Sequence, residues 1–120
     1  MTTTHPAGFI EGVRHFNEGR YFEAHEAFEE LLDEVEDDDA HWRLLVALVQ
    51  VAVGYHKASS GNPGAERMLR MGMEKLAGFP DVAYGVRVRA LRERVDADLE
   101  SGDVARRVSD DPPRLTLGRA

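Results

Sequence analysis

Cysteine is absent from the 120 residues, which removes disulfides, iron–sulfur clusters, thiolate zinc sites and cysteine nucleophiles from the chemistry open to the chain. The absence fits a reducing cytoplasm, the compartment expected here. Lysine is nearly missing too: only Lys57 and Lys75 stand beside thirteen arginines. With a formal net charge of −7 the chain lacks the basic surface that a general nucleic-acid binder needs to neutralise phosphates. Excess acid with scarce lysine suits a halophile's salt-rich cytoplasm, where repulsion among carboxylates is screened, and equally an ordinary acidic protein from a GC-rich genome. Long apolar runs are also lacking. The longest, "LLVALVQVAVGY" at 44–55, holds twelve residues. As a helix it rises only about 18 Å, against the roughly 30 Å of a bilayer core, so it reads as a buried element and no membrane association is expected. "MTTTHPAG" at the start carries neither a basic region nor an apolar stretch, so no secretory signal is expected. Phosphate loops, serine–histidine–acid constellations and dinucleotide fingerprints do not occur either.

What is present is helical periodicity. Residues 1–8, broken by Pro6 and Gly8, read as a flexible lead-in. Phe9, Val13 and Phe16 mark one face of a first helix that Gly19 can stop. Tyr21, Ala24, His25, Phe28, Leu31, Leu32 and Val35 recur at three- and four-residue steps, which predicts a second helix from Arg20 or Tyr21 to about Glu36. Asp38 or Asp39 can cap the third, running from Trp42 to about Ser59, because a carboxylate there accepts an orphan backbone N–H. In "SSGNPGAERML" Gly61 can close that helix while Asn62 caps a fourth and Pro63 takes its first turn. Ala65, Met68, Leu69, Gly72 and Leu76 give the fourth helix its face. A fifth carries Tyr84, Val88, Leu91, Val95 and Leu99, until Gly102 interrupts it. Residues 103–120, containing "DDPPRLTLGRA", read as a C-terminal tail. The fold class is therefore all-α: a compact bundle of about five helices, with two αα-hairpins paired in the manner of tetratricopeptide units plus a C-terminal helix, in a single domain over 9–102.

One histidine is set into the apolar face of the second helix, in "YFEAHEAFEELL". At 100° per residue His25 and Glu29 lie about 40° apart, one turn from each other, so they can share a proton or ligate one metal ion. Two ligands are fewer than the three a catalytic zinc or iron site takes from protein. His56, at the end of the apolar run, is the candidate third. Tyr21, Phe28, Leu32 and Gln50 are the candidate lining of a pocket around them, Gln50 being the only polar side chain inside that run. "HEAFE" departs from the zincin pattern, since Glu29 stands where the second histidine belongs and Glu26 points to the solvent side. The competing structural reading packs the His25 ring in the core and hydrogen-bonds it to Glu29. His5, His15 and His41 have no partner at helical spacing and are expected at the surface. The ten carboxylates between Glu23 and Asp39 read as a solvated face, and the arginines of "RVRALRER" at 87–94 as its partners within or between chains.

"FNEGRYFEAHEAFEELL", followed by a long apolar helix and "GNPGA", resembles the domain-of-unknown-function 309 family of small bacterial and archaeal proteins. The hallmark of that family is His-x-x-x-Glu followed three residues on by tryptophan or tyrosine, a motif proposed to bind metal. The resemblance implies an all-helical fold and a metal site in which the histidine is His25 and the glutamate Glu29. The aromatic position falls on Leu32, where this sequence departs from the pattern. Two functional classes follow. One is a binding or regulatory module, with a divalent metal ion or small ligand at His25 and Glu29, or a protein partner that includes a second copy of itself as a homodimer. The other is a metal-dependent hydrolase or other small-molecule enzyme using the same residues.

Overall fold

Wherever this chain reverses between paired helices it passes through a left-handed glycine. In the computed structural model, which describes residues 5–118, Gly19 (φ 80°) separates α1, Phe9–Asn17, from α2, Tyr21–Glu30. Gly61 (φ 69°) likewise ends α3, Asp39–Ser59, ahead of α4, Ala65–Leu76. Most residues expected to mark the helical faces are buried: Phe9, Val13 and Phe16 on α1, Tyr21, Ala24 and Phe28 on α2, Leu69, Gly72 and Leu76 on α4, while His25, Ala65 and Met68 are only half-buried. The apolar run is helical, and α3 is the central element, packed against α2 on one side and α4 on the other. The architecture is an all-α bundle.

The α3–α4 contact depends on two glycines placed reciprocally. A Cβ on Gly54 would stand 2.7 Å from Leu69, and one on Gly72 would stand 2.8 Å from Val51 and 3.2 Å from the Ala47 carbonyl. Removing both side chains lets the two backbones approach until Leu69 and Val51 fill the space.

Helix α3 starts directly after its Asp38 cap, three residues before Trp42. Helix boundaries differ from expectation in four further places, each for an identifiable reason. Helix α2 stops at Glu30 and the chain continues as a 3₁₀ turn over Leu32–Val35, rather than running on to Glu36. The last turn would have held Asp33, Glu34 and Glu36 without a base, and anionic side chains at a helix C-terminus oppose its dipole. Helix α4 begins after Gly64 (φ 93°), without a side-chain cap, so Asn62 and Pro63 belong to the preceding turn. Tyr84 is not helical. Val82–Ala83 (β1) and Val86–Arg87 (β2) form a two-stranded antiparallel hairpin, and α5 runs only over Val88–Glu100. Tyr84 (φ 51°) and Gly85 (φ 76°) are both left-handed, as a two-residue hairpin turn with the twist of its strands requires. The fourth difference is in the range read as a tail. Residues 104–110 form α6, capped by the Asp103 carboxylate accepting from the Arg106 N–H, with Val104 and Val108 buried. Beyond it the chain is extended and docked. Leu115 is buried, its N–H and C=O both bonded to the Asn17 amide (2.7 and 3.1 Å), and Thr116 accepts from the Arg87 N–H. Of the lead-in, residues 1–4 lie outside the described residues, as do tail residues 119–120. No helix among the described residues is long and apolar enough to cross a membrane.

Candidate functional site

His25 and Glu29 do meet at the edge of α2, with Nε2 3.6 Å from Oε2. The other ring nitrogen fixes the tautomer. Nδ1 lies 3.0 Å from the Phe22 carbonyl, and a carbonyl only accepts, so Nδ1 carries the proton. A neutral ring so held presents an unprotonated Nε2 toward the carboxylate. The His25 side chain is 20% exposed and that of Glu29 61%, so the pair sits at the rim of the bundle with water at hand.

Phe22, which sequence reasoning passed over, joins the pair to α3. It is 45% exposed, and its ring lies 5.2 Å from that of His25 and 5.3 Å from that of His56. His25, Phe22 and His56 thus form a continuous aromatic ridge over α2 and the end of α3. The signal is in the sequence: Phe22 precedes His25 by three residues, and an exposed phenylalanine is the more informative observation about a surface than a buried one.

The expected pocket lining is not gathered there. Phe28 is fully buried, its ring 5.8 Å from Phe9. Leu32 opens the 3₁₀ turn and packs against the core, so two regular helical turns from His25 no longer describe its place. The Gln50 side-chain oxygen is buried without a hydrogen-bond partner. Tyr21 is buried and lines a cavity of about 450 Å³ on the α6 side, with Asn17, Ser59, Val108 and Pro112. Its hydroxyl is unpartnered, and burial raises its pKa above the usual value.

Two further clusters arise from long-range packing. Asp98 on α5 is fully buried and accepts from three donors: the Tyr55 hydroxyl at 2.6 Å, Arg94 Nε at 2.9 Å and Arg107 Nε at 2.9 Å. Burial, reinforced by the bond to Asp98, pushes the Tyr55 hydroxyl well above the usual range. Within the chain the paired arginines of the 87–94 stretch find other carboxylates than the acidic block at 23–39: Arg94 engages Asp98 and Asp111, and Arg89 engages Asp81 and Glu93. His41, expected at the surface, is 5% exposed and pairs with His5, 3.1 Å between ring nitrogens.

Fit to a metal ion can be tested on the donors themselves. A metal-binding histidine holds its second ring N–H on a carbonyl or carboxylate, as His25 does, and adjacent ligands on one ion lie roughly 3 Å apart. His25 meets the first condition; its Nε2 and Glu29 Oε2, 3.6 Å apart, stand somewhat wider than the second. They supply two donors, and no group of three or more histidine, aspartate or glutamate side chains among the described residues is arranged to hold an ion. His56 and His25 each lie against the Phe22 ring. The other carboxylates of the acidic stretch from Glu23 to Asp39 are spread over α2, the 3₁₀ turn after it and the start of α3.

Residues 9–69 match the family model described as "Domain of unknown function (DUF309)", half of the chain, and the chain belongs to that family. The matched span holds His25, Glu29, Phe22 and His56, and excludes His5, the Tyr84 hairpin, α5 and α6. No curated protein matches the chain.

Proposed function

We propose that this member of the family is a binding module, and that His25 and Glu29 hold a divalent metal ion on the ridge they share with Phe22 and His56. One observation carries the reading: the His25 Nδ1–H is tied to the Phe22 carbonyl, so that Nε2, 3.6 Å from the Glu29 carboxylate, is the free donor. In the neutral ring the lone pair is then on Nε2, beside the carboxylate oxygen.

Binding is favoured over catalysis by the same geometry. Two protein donors leave most of an ion's coordination to water or to a ligand from outside. The ridge lies at the rim of the bundle and offers no enclosure to exclude water from a reaction. A partner that supplies a carboxylate or imidazole, seated on Phe22, would complete such a site. The reading as a metal-dependent hydrolase requires His56 to move onto the same ion as His25.

Elemental analysis of protein purified without chelator or affinity histidines tests the proposal. Near-stoichiometric metal that His25→Ala and Glu29→Ala both remove is the expected result. Metal retained in full by His25→Ala, or none taken up from zinc, manganese, iron or nickel by the native protein, overturns it.

A further inference from the structure

We infer that His5 and His41 form an acid-opened latch that ties the segment before α1 to the Tyr84 hairpin at one end of the bundle. The hydrogen bonds assign the protons. His5 Nε2 faces the Tyr84 carbonyl, which only accepts, so Nε2 is protonated and Nδ1 is not. The His41 Nε2–H therefore donates to His5 Nδ1 across 3.1 Å. Each ring is also clamped by an aromatic plane: His5 stacks on Phe9, with ring centres 3.6 Å apart, and His41 stacks on Tyr84 at 4.3 Å.

Tyr84 shows how specifically the arrangement is built. It is the one non-glycine residue with positive φ among those described, a conformation that L side chains disfavour. In that conformation its carbonyl reaches His5, its ring covers His41 and its hydroxyl donates to Asp38 at 3.0 Å. Asp38 in turn accepts from the His41 backbone N–H at 3.1 Å, which joins the hairpin to the start of α3. Three segments distant in sequence thus converge on two imidazoles.

This chain of bonds tolerates one added proton and not two. With one, a ring still offers a lone pair to the other. With two, an N–H faces an N–H and two charges lie side by side. The groups facing the pair are Asp38, Asp37 and Glu34 around an adjoining cavity of about 420 Å³, with the neutral Tyr84 on the hairpin side. Asp38 favours a charged His41, but burial outweighs it, and both rings are shifted below the ordinary value of 6.5. The sign follows. Rings freed by opening take protons at higher pH than rings in the latch, so the latch is fully held above pH 6.5 and weakens as pH falls below that value. Opening follows the second of the two coupled protonation steps. It withdraws His5 from Phe9, a residue only 1% exposed while the latch is closed.

Nuclear magnetic resonance of the full chain between pH 8 and pH 5 tests this, reading the His5 and His41 titrations together with the proximity of the His5 and Phe9 rings. The expected result is two linked steps below the ordinary histidine value. The two rings part at the second step, with the open fraction rising by up to about tenfold per pH unit there. In His41→Gln the side-chain carbonyl can accept from a fully protonated His5, so the His5–Phe9 stacking is expected to survive to pH 5. Stacking that persists after both native rings have charged overturns the proposal. So does a folded His41→Gln protein that opens at the native pH. If that variant does not fold, the native titration decides alone.

Discussion

Two carboxylates, Glu29 and Asp98, each lie four residues along a helix from a basic partner, and they have opposite fates. Glu29 is mostly exposed, 3.6 Å from His25, and has no other partner among the described residues. Asp98 is fully buried, with Arg94 four residues before it, and receives Tyr55 from α3 and Arg107 from α6 as well. The difference is where the remaining coordination comes from. Asp98 has it all from the chain, so it holds three elements together and has nothing left to offer a ligand. Glu29 and His25 stand side by side at the rim, with no further protein partner on the carboxylate among the described residues and water at hand. An unsaturated pair at the rim is what a binding site needs; a saturated one in the interior is what a fold needs.

The contrast breaks most visibly at Asp98. Asp98→Ala leaves Arg107 and the Tyr55 hydroxyl without an acceptor and Arg94 with Asp111 alone, and is expected to cost about 3 kcal/mol or more of stability, measured as a drop in urea midpoint at unchanged slope. A cost near that of an ordinary surface substitution would mean the cluster does not carry the C-terminal elements. Tyr55→Phe removes one of the three donors and keeps the charges balanced, so about 1 kcal/mol is expected from the same measurement. His25→Ala and Glu29→Ala are expected to sit at the bottom of the scale, within about 0.5 kcal/mol of the native protein, because an i,i+4 pair at the rim, with Glu29 mostly in water, contributes little. Their effect should fall on metal content instead. Should His25→Ala prove as destabilising as Tyr55→Phe, the histidine is a packing residue and the contrast fails.

Legibility in the sequence follows the same division. His25 and Glu29 can be paired from spacing alone, because a helix brings residues four apart together whatever else the chain does. The helical faces of α1, α2 and α4 are readable for the same reason, as are the left-handed stop at Gly61 and the cap at Asp38. Asp98 is not readable, since Tyr55 and Arg107 reach it only through tertiary packing. Nor is the pairing of His41 with His5, thirty-six residues away. The Tyr84 hairpin hides behind a four-residue step to Val88 that imitates helical periodicity, although the Gly85 beside it is the available clue to a turn. Helix α6 is masked by the prolines after it, although Val104 and Val108 carry helical spacing. Phe22 escapes notice because attention to the apolar stripe favours the residues it buries.

The most direct test of the binding site is to follow the His25 ring nitrogens by nuclear magnetic resonance while zinc is added to the metal-free protein. The Nδ1–H bonded to Phe22 should be retained while the Nε2 resonance shifts as it becomes a ligand, and the change should saturate at one equivalent. An unperturbed His25 Nε2 at saturating zinc would contradict the assignment.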